Sequence, residues 1–164
     1  MKTPHWLNVA VAAITAAILP ACDAFNLQEL KPGISTAAEV RSRMGEPGME
    51  YRNPDGSVTW EYTRQPQGID CYMITIGSDQ ILRSVDQVLT EANIARIVAG
   101  MDRDEVRRLL GAPGLKTTYP GSQEEVWDWR VAGALQTEEA HFHAHFDPAT
   151  GLVRRTSRRI EVRA

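Results

Sequence analysis

Three histidines occupy every second position of one segment, at His141, His143 and His145. Because side chains alternate between the two faces of a β-strand, the three imidazoles are expected on one face, where they could bind zinc or copper. Successive residues on that face are about 7 Å apart, so one ion can reach only two of them. Glu139 or Asp147 could add a carboxylate. We therefore predict a polar outer sheet face rather than a metal site, with the three histidines as candidate ligands.

The thiol of Cys22 is the second group that could carry chemistry. An apolar stretch over 9–19, too short to span a membrane, ends in the Leu of a Leu-Pro-Ala sequence that leads directly to Cys22. This order resembles the lipobox of bacterial lipoproteins, in which the cysteine thiolate takes a diacylglyceryl group and the chain is cut before it. We predict a signal peptide over 1–21, a covalent lipid on Cys22 and a tether over 22–29.

A lipid anchor would place the mature chain in the bacterial cell envelope, facing the periplasm. Asp23 follows the cysteine and resembles a signal that retains lipoproteins at the inner membrane. Once Cys22 is lipidated, Cys71 has no partner for an internal disulfide. Its apolar neighbours predict a buried, inert thiol.

Composition and motifs exclude several classes of protein. Hydrophobic residues make up 43% and charged residues 24%, which is typical of a globular protein. The formal net charge is −3, without the strongly basic character of nucleic-acid-binding domains. The chain has no Gly-x-Ser-x-Gly, His-Glu-x-x-His or P-loop motif. We predict a protein that is not an enzyme and needs no cofactor beyond the lipid.

Two segments of the mature chain resemble each other, which predicts a tandem repeat. Residues 33–62 and 100–129 share a capping position, a Gly-x-Pro and a tryptophan in the same order. Five matches have an offset of 66, namely Thr36/Asp102, Glu39/Glu105, Val40/Val106, Gly45/Gly111 and Pro47/Pro113, and Gly33/Gly100 and Trp60/Trp127 match at 67. We predict repeat 1 over 30–95 and repeat 2 over 96–164.

Each matched residue predicts a local structure. Thr36 and Asp102 are expected to cap the N-termini of helices, and Gly45 and Gly111 to end them. A further short helix is expected before each capped helix, over 25–30 in repeat 1 and over 90–99 in repeat 2. In repeat 1 the strands are expected over 49–51, 58–63, 69–76 and 81–89, with counterparts in repeat 2 that include 140–146 and 152–162.

The strand patterns predict the fold class. Val58, Trp60 and Tyr62 alternate with Thr59, Glu61 and Thr63, so one face of the strand is expected to be buried. The same alternation makes Trp127 and Trp129 core residues rather than interface anchors. We predict an α+β protein of two repeats, each with a short helix pair packed on a three- to four-stranded antiparallel sheet.

The last predicted strand is strongly basic, because it carries Arg154, Arg155, Arg158 and Arg159. These arginines could contact lipid phosphates or an acidic partner. The alternative, which we favour, is that they protect an exposed edge strand from aggregation. They are the candidate partner-binding residues of the sequence.

The Gly-Met-x4-Val-x4-Gly-x-Pro stretch that begins at Gly100, followed by Trp127, resembles the BamE (SmpA/OmlA) family of envelope lipoproteins. The segment from Gly33 to Trp60 is a looser second copy. The resemblance implies a helix pair on an antiparallel sheet, a fold that the β-lactamase-inhibitor proteins carry in tandem. It also implies an outer-membrane location and a role beside the β-barrel assembly machinery.

Together these observations predict a lipid-anchored, non-enzymatic envelope lipoprotein that binds a protein partner, with outer-membrane protein assembly as the implied process. The alternative is a periplasmic lipoprotein that acts as an inhibitor or binds a ligand through its sheet face. Fold alone does not decide between the two.

Overall fold

The computed structural model describes residues 26–135 and 138–162. Their eight strands form two antiparallel four-stranded sheets, each in simple sequence order. Sheet 1 contains β1 (Met49–Arg52), β2 (Val58–Thr63), β3 (Cys71–Ile76) and β4 (Leu82–Gln87). Sheet 2 contains β5 (Leu115–Tyr119), β6 (Glu124–Ala132), β7 (Glu138–Phe146) and β8 (Val153–Val162). The predicted α+β class with two repeats is confirmed.

The helices are α1 (Ala37–Met44), α2 (Glu91–Ile94) and α3 (Arg103–Leu110), with a helical turn at 26–29. The prediction of a helix over 90–99 is too long, because α2 ends at Ile94. The chain must then turn so that the Gly100 amide can donate to the Val153 carbonyl at 2.8 Å, with Gly100 at φ +93°. No helix of the described residues is long and apolar enough to cross a membrane.

Both predicted helix caps are present. The Thr36 hydroxyl accepts from the Glu39 amide at 3.2 Å, and the Asp102 carboxylate accepts from the Glu105 amide at 2.8 Å. Only α3 has the full reciprocal box, in which Glu105 also accepts from the Asp102 amide. Glu39 instead pairs with Arg43 at 3.2 Å, one helical turn further on.

The two repeats share their internal hydrogen bonds as well as their elements. The capping residue of each long helix bridges the residue before the last strand, Thr36 to Ile81 and Asp102 to Leu152. The carbonyl at the end of each helix accepts from an equivalent aromatic residue. The Tyr62 hydroxyl donates to Gly45 at 3.0 Å, and the Trp129 indole donates to Gly111 at 3.1 Å.

The elements stack in four layers, in the order α1, sheet 1, the helices of repeat 2, and sheet 2. Helix α1 packs on one face of sheet 1, where Val40 and Met44 meet Trp60 and Ile74. The opposite face of sheet 1 meets α3, and Cys71 of β3 belongs to the same apolar cluster as the α3 and sheet 2 residues. Helix α3 is therefore covered on both sides.

This stacking corrects one expectation about β2. Trp60 and Tyr62 are buried as predicted, but Glu61 on the other face is buried completely. The reason is that α3 covers the face that a single repeat would leave to solvent, and Arg107 of α3 binds the Glu61 carboxylate there. The prediction that Trp127 and Trp129 are core residues is confirmed.

Candidate functional site

The two faces of sheet 2 differ sharply in composition. Its inner face carries Trp127, Trp129 and Phe142 and packs into the core with α3. Its opposite face contributes no member of either apolar core cluster formed by the described residues. We call this opposite face the histidine face, and its polar residues are Thr117, Glu124, Asp128, Arg130, Glu139, His141, His143, His145, Arg155, Ser157, Arg159 and Glu161.

Strand register explains why these side chains meet. In the antiparallel ladder Asp128 lies directly opposite His143, which in turn lies opposite Ser157. Cross-strand partners share one face, so a carboxylate, an imidazole and a hydroxyl stand side by side. His141 and His145 flank His143 on the same strand and face, as the sequence predicts.

Two of the three histidines share one carboxylate. His141 Nδ1 lies 2.7 Å from Asp128 Oδ1, and His143 Nε2 lies 3.2 Å from Asp128 Oδ2. One ligand atom from each of these three residues falls in a group whose members lie within 4.8 Å of one another. Burial lowers the pKa of His143, against the opposing effect of Asp128, so its ring is neutral at neutral pH.

His145 belongs to a separate group of contacts. Its Nδ1 lies 3.1 Å from Glu124, and its Nε2 lies 2.8 Å from the Ser157 hydroxyl. Arg155 donates to both oxygens of Glu124, at 3.1 and 2.9 Å. The hydrogen bonds from Arg155, followed by the one from His145, lower the pKa of Glu124 and keep it ionised.

The histidine face also exposes two large apolar side chains on the edge strand β5. Leu115 is opposite Asp128 and Tyr119 is opposite Glu124, so both share the face with the polar residues. Their exposed fractions are 58% and 51%. The face therefore joins an ordered polar centre to an apolar margin.

The four candidate arginines of β8 do not form one basic patch. Arg155 and Arg159 lie opposite His145 and His141 on the histidine face, whereas Arg158 lies opposite Phe142 on the inner face. Each of the four is within ion-pair distance of an acid, in the pairs Arg154–Asp147, Arg155–Glu124, Arg158–Glu91 and Arg159–Glu161. Strand β8 is also an edge strand of the sheet. Their charges are thus shared with the protein's own acids.

Of the two cysteines, one lies among the residues that the structure describes. Cys22, with the signal and the first half of the tether, lies outside the described residues. Cys71 is buried, and burial raises the pKa of its thiol to about 12. It is therefore protonated and unreactive at neutral pH, in line with the expectation of an inert thiol.

Sequence reasoning proposed Glu139 or Asp147 as the acid beside the histidines and missed Asp128. Asp147 instead pairs with Arg154, and Glu139 lies 3.7 Å from His141 Nε2. The missing information was the register of β6 against β7. A usable signal existed, because Asp128 stands between Trp127 and Trp129 and must therefore face away from the core.

The chain matches no protein-family model and no curated protein. Among solved structures, it is similar to a Streptococcus mutans protein provisionally called a β-lactamase inhibitor protein, at 10% identity and TM-score 0.35, over 85% of this chain and 96% of that one. It is also similar to YjgB, a DUF4309 family protein of Bacillus subtilis, at 13% identity and TM-score 0.32, over 83% and 84%. Neither likeness says what this chain binds.

Proposed function

We propose that the chain is a lipid-anchored, non-enzymatic module of the bacterial envelope that binds a protein partner through the histidine face. The observation that carries this proposal is the combination on one face of a polar centre with the exposed Leu115 and Tyr119. Protein interfaces combine apolar and aromatic contacts of this kind with about one hydrogen bond per 100–200 Å².

The polar centre supports binding because it is already ordered. Asp128 contacts two imidazoles, Glu124 contacts Arg155 and His145, and Ser157 contacts His145. Side chains that are fixed before association lose little conformational entropy on binding.

The anchor and the partner complete the proposal. Lipid on Cys22 would hold the domain at a membrane surface in the periplasm, by way of the short tether. The resemblance to the BamE family favours the outer membrane and the β-barrel assembly machinery as the partner. Asp23 would favour the inner membrane under enterobacterial sorting rules.

The anchor is tested by Cys22→Ala in the full-length chain. The wild type should be shortened by removal of residues 1–21 and should fractionate with membranes. The variant should accumulate at precursor length and label with no lipid precursor, because it lacks the thiol that accepts the diacylglyceryl group. A variant that is still processed, labelled and membrane-bound like the wild type would contradict the proposal.

The partner is tested by purifying the tagged full-length chain from membranes in mild detergent. Leu115→Ser should reduce recovery of the partner, while Ile34→Ser, at an apolar side chain exposed elsewhere, should not. Barrel-assembly subunits in the wild-type sample would support the assembly role, and a single soluble enzyme would show an inhibitor instead. Equal recovery with both variants would contradict binding through the histidine face.

A further inference from the structure

We propose that Asp128, His141 and His143 form a binding site for one divalent cation of the Zn²⁺ type. The inference concerns the chain alone and does not depend on the proposed protein partner. Two imidazoles and one carboxylate are ligands that zinc takes in proteins, with water in the fourth position.

The distances fit a site that closes around an ion. One ligand atom from each residue lies in a group within 4.8 Å, and the two closest approaches are 2.7 and 3.2 Å. Ligands of one tetrahedral zinc ion, at about 2.0–2.1 Å from the metal, stand about 3.3 Å apart. The longest separation within the group would therefore have to shorten by at most about 1.5 Å for the three ligands to surround one ion.

The backbone holds the ligands in place. Asp128 and His143 are direct partners in the β6–β7 ladder, and His141 is two residues away on the same strand and face. All three side chains are largely shielded, since between 16 and 19% of each is exposed. A site built on paired strands keeps its geometry better than one built on loops.

Contacts from outside the ligand set hold the ring of His143. Its Nδ1 lies 3.4 Å from the Ser157 hydroxyl, while its Nε2 faces Asp128 at 3.2 Å. Ser157 is itself 2.8 Å from His145 Nε2. A hydrogen bond to the second nitrogen of an imidazole is the usual way in which proteins orient a histidine that binds a metal.

The charges around the site are balanced apart from Asp128. Arg130 lies within ion-pair distance of Glu139, and Arg159 pairs with Glu161. The carboxylate of Asp128 faces two imidazoles rather than a guanidinium. Its negative charge is therefore available to a cation, as the ligand set requires.

The test measures Zn²⁺ binding to the full-length chain in detergent by titration calorimetry, and Co²⁺ binding by visible absorption, which reports coordination geometry. The wild type should bind one Zn²⁺. Asp128→Asn and His141→Gln should each weaken binding by more than about 100-fold, since removal of a residue that only supports a ligand already costs 10–100-fold.

His145→Gln is the matched control, because this histidine shares the strand and face but lies outside the ligand set. It should keep one Zn²⁺ and the Co²⁺ spectrum. Circular dichroism would verify that every variant is folded, and His143→Gln provides a further ligand variant if one of the others unfolds. Equal binding by Asp128→Asn and the wild type, or equal loss in His145→Gln, would overturn the proposed site.

Discussion

Glu61 of repeat 1 and Arg107 of repeat 2 form a bidentate ion pair between the repeats. Arg107 Nη2 and Nε lie 3.0 and 3.1 Å from the two carboxylate oxygens of Glu61. The Glu61 side chain is 0% exposed and that of Arg107 is 21% exposed. The Tyr51 hydroxyl donates to the same carboxylate at 2.8 Å. The buried carboxylate therefore accepts hydrogen bonds from one charged and one neutral donor.

Replacing Arg107 should be more harmful than replacing Glu61. Arg107→Met leaves a buried carboxylate with only Tyr51, and removal of one partner of a buried pair costs about 3–5 kcal/mol. We expect the lower end of that range, because the guanidinium reaches solvent. Glu61→Gln should cost less, and the double variant should recover part of the Arg107→Met loss. Urea unfolding followed by circular dichroism gives these free energies.

Arg83→Met is the control for this cycle. Arg83 pairs with Asp79 at 2.6 Å, but both side chains are about half exposed. An exposed pair of this kind contributes about 0–1 kcal/mol, so its loss should be small. Strictly additive effects of Glu61→Gln and Arg107→Met would show that the two side chains do not interact.

The contact between Gly111 and Cys71 should make repeat 2 sensitive to a single methyl group. Gly111 has φ +79°, and a Cβ atom there would lie 2.1 Å from the Cys71 sulfur. Gly45 occupies the equivalent position at φ +81° with nothing within 4 Å. Alanine should cost about 1–3 kcal/mol at either position from backbone strain. At Gly111 the overpacking should add roughly 1–3 kcal/mol.

The difference between Gly111→Ala and Gly45→Ala thus measures the packing between the repeats, because the backbone strain is common to both. Thermal and urea unfolding of the two variants would give this difference in the free energy of unfolding. Equal destabilisation would mean that the repeats separate or shift easily at this contact, which the layered arrangement does not allow.

Cys71 should make stability fall in alkali. Burial raises its pKa to about 12 in the folded chain, whereas an exposed thiol ionises near pH 9. The contribution of the neutral, buried thiol to the free energy of unfolding is fully present below pH 9. It decreases between about pH 9 and 12, because the thiol of the unfolded chain loses its proton first. The free energy of unfolding then falls with a slope that approaches about 1.4 kcal/mol per pH unit.

Cys71→Ala should remove this part of the pH dependence. Burial also raises the pKa of Tyr62, to about 12, and that of Tyr51, so those groups add to the slope from about pH 10 upward. The comparison of wild type and variant is therefore sharpest between pH 9 and 10. Unfolding free energies with identical slopes there would show that the thiol is not buried in solution.

The sequence carried enough information for the elements that depend on neighbouring residues. The cap residues Thr36 and Asp102, the helix ends at Gly45 and Gly111, and the alternating strands are set by contacts a few residues apart. Because the two repeats show the same signals in the same order, each prediction was supported twice. The fold class followed from these local structures.

Relationships between layers and between strands could not be predicted in the same way. The burial of Glu61 depends on α3 packing against a face that its own repeat leaves open. The placement of Asp128 beside two histidines depends on strand register. A shift of the register by one residue would move the side chains of the shifted strand to the other face of the sheet. The turn after α2 brings the Gly100 amide to the Val153 carbonyl of β8, a contact between segments far apart in the sequence.

The most direct measurement of the central claim is photo-crosslinking in intact cells, with a photoreactive residue at single positions of β8 in the full-length chain. Arg155 and Arg159 lie on the histidine face, while Arg158, one residue away, lies on the opposite face of the sheet beside Glu91. We expect a defined protein adduct from positions 155 and 159 and none from position 158. Equal adducts from all three positions, or none from positions 155 and 159, would contradict binding of a protein through the histidine face.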